Sequence, residues 1–159
     1  MLRKIRHKKV QLRGGTFAIV ASRYNARYVD AMVRAAQSEL KRAGAKKIQI
    51  VRVPGAYEIP VITVKLARAG KFSAIICLGV ILRGETVHAA HIGEAVSRAL
   101  MEIQLAHEIP VVHEVLLLEN EEQARVRCLN PKHNRGTEAA QTALAMACVM
   151  KSLDSDSAF

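Results

Sequence analysis

Between Gly79 and His88 the chain reads Gly-Val-Ile-Leu-Arg-Gly-Glu-Thr-Val-His, which brings a guanidinium, a carboxylate, a hydroxyl and an imidazole together within six residues. The apolar run 74–78 precedes this stretch, and an amphipathic helical pattern begins near Ala90. A buried strand is therefore expected to end in a polar loop. Ligands of α/β sheets bind just beyond the carboxyl ends of strands. The loop also feeds a helix N-terminus, where unpaired N–H groups and the macrodipole favour anions. Gly84, Glu85 and Thr86 can offer backbone N–H groups and a hydroxyl to a phosphate. The plainer alternative is an ordinary helix entry with Thr86 as its cap. His88 is of the one side-chain type whose ordinary titration lies near cellular pH. The chemistry indicated is proton transfer beside a bound anion.

Other candidate groups follow the other expected strands. Tyr24 and Asn25 come just after the run 17–21, and Gly55, Ala56, Tyr57 and Glu58 just after the alternating stretch 47–53. His113 and Glu114 lie within the run 111–117, with Glu119 and Asn120 beyond it. A tyrosine ring can stack on a flat heterocycle, and a neighbouring asparagine can add amide contacts. Glu58 opens a helix, where a carboxylate is favourable for structural reasons alone, yet it can also accept hydrogen bonds from ligand hydroxyls. Arg127 and Arg135 flank a late loop; arginine suits bidentate phosphate contacts, although lone arginines are most often surface charge. Convergence of these groups on one rim of a parallel sheet is a stronger signal than any one of them.

The elements that must hold these groups are legible in the spacing. Strands are expected over 17–21, 47–53, 74–80 and 111–117. Helices are expected over 28–42, 58–68, 90–107 and 137–152, with a short one capped by Asn120 and running to about Arg127. Gly44 and Gly70 end the first two helices, and Pro60 is tolerated in a first turn. Strands alternating with helices predict an α/β fold: a three-layer sandwich in which helices flank a four-stranded parallel sheet of flavodoxin-like strand order. The 159 residues fit a single domain, with a basic N-terminal segment over 1–13 and a frayed tail over 154–159. Half of the residues are hydrophobic but only 4% are aromatic, so the core must be built from Val, Ile, Leu, Ala and Met. Alanines along the last helix permit close helix packing, within the subunit or against a neighbour.

No apolar run approaches the roughly 18 residues of a membrane span, and the basic start lacks the apolar segment of a secretory signal; the chain reads as cytoplasmic. The three cysteines have no metal-type spacing. Cys77 and Cys148 read as buried filler. A net charge of +10 favours anionic partners, yet no motif or aromatic platform supports nucleic-acid binding.

Taken together, these residues resemble the lumazine synthase family, over roughly residues 14–153. The landmarks are Ser22-Arg23-Tyr24-Asn25, Val53-Pro54-Gly55-Ala56-Tyr57-Glu58-Ile59-Pro60, Leu78-Gly79, Arg83-Gly84-Glu85-Thr86 with His88, Glu122-Gln123-Ala124, and Asn134-Arg135-Gly136 before Glu138-Ala139-Ala140. The resemblance implies condensation of 5-amino-6-ribitylaminopyrimidinedione with 3,4-dihydroxy-2-butanone 4-phosphate to give 6,7-dimethyl-8-ribityllumazine, with no metal or organic cofactor. By the same resemblance, His88 moves protons. Tyr24, Asn25, Ala56, Tyr57, Glu58, Val80, Leu82, His113 and Arg135 hold the pyrimidine and ribityl chain, and Gly84, Glu85, Thr86 and Arg127 face the phosphate. It implies a homo-oligomer, either pentamers, paired pentamers or sixty-subunit cages, with each site between adjacent subunits. Residues 113, 127 and 135 would then come from the neighbour. The short connection 128–134 favours the cage, and a functional link to riboflavin synthase is implied. The chain departs from the family pattern at Val87 (usually proline), at 89–91 (an aromatic and an Asp are frequent), at His113-Glu114 (commonly Phe-Gly), at Arg135 (frequently Lys) and at Thr137. The departures at 89–91 and 113–114 best support a second reading, a non-catalytic flavin-binding or cargo-holding shell. An archaeal-type riboflavin synthase reaction is disfavoured by residues 57–60 and 84–88.

Overall fold

In the computed structural model, which describes residues 14–156, four strands form one parallel sheet in the order β2-β1-β3-β4. The strands are β1 (Thr16–Ser22), β2 (Lys47–Val53), β3 (Ala74–Leu82) and β4 (Val111–Leu118), joined by α1 (Ala26–Arg42), α2 (Ile59–Arg68) and α3 (His88–His107). A short α4 (Glu121–Ala124) and a long α5 (Arg135–Asp156) complete the chain. The basic segment 1–13 and the last three residues lie outside the described residues.

Alternation along the strands explains the three layers. Phe17, Ile19, Ile76 and Leu78 face α1 and α5, where Met32, Leu40 and Leu144 meet them. Ala18, Val20, Ile75 and Cys77 face the other way, onto Ile59, Val96 and Leu100 of α2 and α3. β1 and β3 are therefore apolar on both sides, as central strands of a parallel sheet must be. The small residues of the last helix serve the fold itself: Ala139, Ala140 and Ala143 are fully buried against α1. Gly44 and Gly70 adopt positive φ just past the ends of α1 and α2, as their chain positions predict.

Several boundaries differ from expectation. β3 does not stop at Val80. Its ladder with β4 continues through Ile81↔Leu117 and Leu82↔Leu118, because both strands stay apolar to their ends. The polar loop thus shrinks to residues 83–87, and His88 becomes the first residue of α3. Thr86 is not a cap: Val87 holds that position, with no side-chain cap hydrogen bond. The short helix capped by Asn120, whose side chain accepts from Gln123 N at 3.0 Å, gives way to a π turn over Arg125–Leu129. The late loop is left with residues 130–134 only. α5 starts at Arg135, earlier than residue 137, because the buried Asn134 side chain accepts from Gly136 N at 2.8 Å and donates to Cys128 O. Its helix also runs on to Asp156 where fraying was expected.

Cys148 is partly exposed, against expectation, because it lies on the flank of α5, while Cys77 and Cys128 are buried. Burial pushes the Cys77 thiol up to about 12 and the Cys128 thiol up to about 11. Neither is a thiolate nucleophile near neutral pH. Among the described residues, no helix is long and apolar enough to cross a membrane.

Candidate active site

The exits of β1 and β2 are stitched together by backbone. Arg23 N donates to Val53 O at 2.8 Å and Tyr24 N to Pro54 O at 3.1 Å. This leaves the Tyr24 ring 72% exposed at the sheet rim. Asn25 sits at φ 56°, in the left-handed region that asparagine tolerates. Its amide nitrogen donates to Val80 O at 2.8 Å, so that nitrogen ties the β1 exit to β3 rather than offering itself to a ligand. After β2, a single 3-10 turn covers Ala56–Glu58. Glu58 Oε2 accepts from Gly55 N at 2.8 Å, so this carboxylate is a helix-entry cap, as the plainer reading predicted, with its second oxygen left for a ligand. Gly55 leaves room for the Glu58 carboxylate and the Tyr24 ring. A Cβ on it would lie 2.9 Å from Glu58 Oε2 and 3.2 Å from the Tyr24 ring.

Above these exits lies a cavity of about 820 Å³, lined by Tyr24, Asn25, Ala56, Tyr57, Glu58, Val80, Leu82 and His88 among others. The structure thus brings eight of the expected residues into one space. The same wall contains Gly55, one of the strand-end candidates, and Ile81, His91, Ile92 and Ala95, which the sequence does not assign to the site. The signal for three of them was present. Residues 88, 91, 92 and 95 follow i, i+3, i+4, i+7 spacing, which is one face of a helix beginning at His88.

The remaining candidates lie outside this cavity. Gly84, Glu85 and Thr86 are exposed in the loop leading to His88. Because α3 has no side-chain cap, its first N–H groups, those ahead of the His91 N to Val87 O bond, are available to an anion. Arg127 is exposed in the π turn. Arg135 forms a fork with the buried Glu114 carboxylate, at 3.0 and 2.8 Å, and a further bond to Glu138 at 2.7 Å. Burial raises the Glu114 carboxyl, with the Arg135 contacts opposing. Burial works against the Arg135 charge, but Glu114 and Glu138 outweigh it and raise its pKa. No cluster of three or more His, Cys, Asp or Glu suited to a metal occurs among the described residues.

His113 projects from the opposite face of β4, toward α3. Its Nδ1 accepts from Val115 N at 3.3 Å, so its Nε2 carries the proton and donates to Ser97 Oγ at 2.7 Å. Ser97 in turn donates to Gly93 O. Both ring edges are used within the chain, and only the ring face remains to stack on a ligand. Burial lowers the His113 pKa, opposed by the contact of the ring with the residue's own backbone. A histidine with a depressed pKa binds fewer protons folded than unfolded. Its contribution is complete above the unfolded value, about 6.5, and is lost as the pH falls through the lower folded value. Thermal denaturation from pH 7.5 down to pH 5 should show the melting temperature falling in acid, with the fall reduced in His113→Phe. An equal fall in both proteins would contradict this role.

The sequence pattern of one enzyme family matches residues 14–151, and its description is 6,7-dimethyl-8-ribityllumazine synthase. The chain belongs to the 6,7-dimethyl-8-ribityllumazine synthase family. It is similar to the protein of that name from Xanthomonas oryzae pv. oryzae (strain PXO99A), 40% identical over 139 residues, which is 86% of this chain and 90% of the relative. The relatives from Xanthomonas euvesicatoria pv. vesicatoria (strain 85-10) and Xanthomonas campestris pv. campestris (strain B100) show the same identity and coverage. The parallel four-stranded sheet with helices on both faces is consistent with the lumazine synthase fold.

Proposed function

We propose that this chain condenses 5-amino-6-ribitylaminopyrimidinedione with 3,4-dihydroxy-2-butanone 4-phosphate, producing 6,7-dimethyl-8-ribityllumazine and releasing phosphate and water. The observation that carries the reading is the cavity at the carboxyl ends of β1, β2 and β3, which gathers an aromatic ring (Tyr24), a shelf formed by Ala56, Tyr57 and Glu58, and an imidazole (His88). The reaction joins the substrate amine to the ketone carbon as an imine with loss of water, eliminates phosphate, and closes the second ring with loss of a second water. Each step moves a proton, and His88 at the cavity wall is the group to carry it. The uncapped start of α3 and the backbone of Gly84, Glu85 and Thr86 receive the departing phosphate. Val80 and Leu82 line the floor under the pyrimidine.

Arg127, His113 and Arg135 lie away from this cavity within one chain. Their place in the reaction is as the far wall of a neighbouring subunit's site, in a ring of five copies or a larger cage built from such rings, working in the cytoplasm and feeding its product to riboflavin synthase. Arg127 supplies charge to the phosphate there. Arg127→Ala should raise the KM for the butanone phosphate while leaving the KM for the pyrimidine little changed. An unchanged KM for the phosphate substrate would remove Arg127 from the site.

The reading is tested by incubating purified protein with both substrates and following lumazine absorbance together with released phosphate. The expected result is stoichiometric formation of both well above the spontaneous rate. A rate equal to the protein-free background would leave the non-catalytic shell as the function.

A further inference from the structure

We propose that Glu114 is a positioning residue for this reaction: with Glu138 it clamps Arg135, so that the guanidinium presents its remaining N–H groups in a fixed orientation to the carbonyl edge of the pyrimidinedione. The proposal rests on Arg135 being a substrate-binding residue, as in the preceding section.

The geometry is specific. Glu114 is only 7% exposed, on the face of β4 that meets α5. Its two oxygens accept from Arg135 Nε and Nη2 in the fork arrangement that fixes a guanidinium in its own plane. Glu138, one turn along α5, accepts from Nη1. Three of the five N–H donors of Arg135 are thus taken by its own chain, and two remain for a ligand. The Arg127 charge also acts on the Glu114 carboxyl, so two guanidinium groups face the two carboxylates here. A carbonyl oxygen of the ligand finds two preset donors on the clamped guanidinium. A buried carboxylate is stable only when paired, so Glu114 and Arg135 constrain one another. That mutual constraint lowers the ordering cost of presenting the remaining N–H groups.

A double-mutant cycle with both KM values as readouts tests this. Glu114→Gln keeps the shape but loses the charge. It is expected to raise the KM for the pyrimidinedione about tenfold, in line with loss of a hydrogen bond to a charged group, with kcat changed far less. The KM for the butanone phosphate should change little. In an Arg135→Ala background, Glu114→Gln should add nothing to the pyrimidinedione KM. Glu138→Gln, at the partly exposed start of α5, should shift the same KM in the same direction by less, and it serves if Glu114→Gln does not fold. If Arg135→Ala raises the pyrimidinedione KM and neither glutamine variant does, Glu114 has no positioning role. If the glutamine variants act equally with and without Arg135, their effect is general destabilisation and the proposal fails. If Arg135→Ala changes neither KM, Arg135 itself is outside the site, and the assignment beneath the proposal is what has failed.

Discussion

Gly136→Ala is expected to destabilise the fold by about 3 kcal/mol or more, at the upper end of the usual cost of overpacking. A Cβ at this position would drive into the backbone of Met32, lying 2.6 Å from its carbonyl carbon and its Cα and closer still to its oxygen. No rotamer change relieves a clash with main chain. The neighbouring Ala139, Ala140 and Ala143 are fully buried against the same helix, so α1 and α5 would have to separate along their whole contact. Urea denaturation should show a lower midpoint with a similar slope. The same displacement moves Asn134 and Arg135, so the surviving folded fraction should also bind the pyrimidine more weakly. An unchanged midpoint would mean that the two helices do not approach as described.

His88→Ala is expected to lower kcat by ~10- to 100-fold, at or below the usual range for general acid–base groups. The modest size follows from the chemistry, since imine formation and ring closure between these substrates also proceed unaided. Both KM values should change little, because Tyr24, Glu58 and the phosphate loop remain. His91 lies one turn further along the same wall, and His91→Ala is the necessary control. If its kcat falls more than that of His88→Ala, the proton carrier has been misplaced by one turn of α3.

How far the sequence could be read depended on how local each feature is. The strands and helices were legible because alternation and helical spacing are local properties, and Gly44 and Gly70 marked their helix ends for a steric reason. The end of β3 was not legible. Ile81 and Leu82 are strand because β4 runs beside them to Leu118, and pairing partners are not visible in a single segment. Moving the start of α3 to His88 had a consequence, because it placed His91, Ile92 and Ala95 on the cavity wall. Asn25 was read as a ligand contact from its type, but its amide nitrogen is used by Val80 O, a partner 55 residues away. His113-Glu114 and Arg135 looked like separate departures from the family pattern. The fold makes Glu114 and Arg135 one unit on one face of β4 and directs His113 to the other face.

Within one chain, Tyr24, Ala56, Tyr57, Glu58 and His88 line a cavity whose walls do not include Arg127 and Arg135. Subunit mixing tests most directly whether two chains build each site. One variant would carry Tyr24→Ala and His88→Ala, the other Arg127→Ala and Arg135→Ala, each nearly inactive alone at low butanone phosphate. Unfolded together in equal amounts and refolded into shared rings, they should recover up to about a quarter of the wild-type rate, because a head-to-tail ring then contains interfaces with both halves intact. If mixed rings form, as judged by differently tagged subunits co-purifying, and their rate stays at that of the separate variants, each site lies within a single chain.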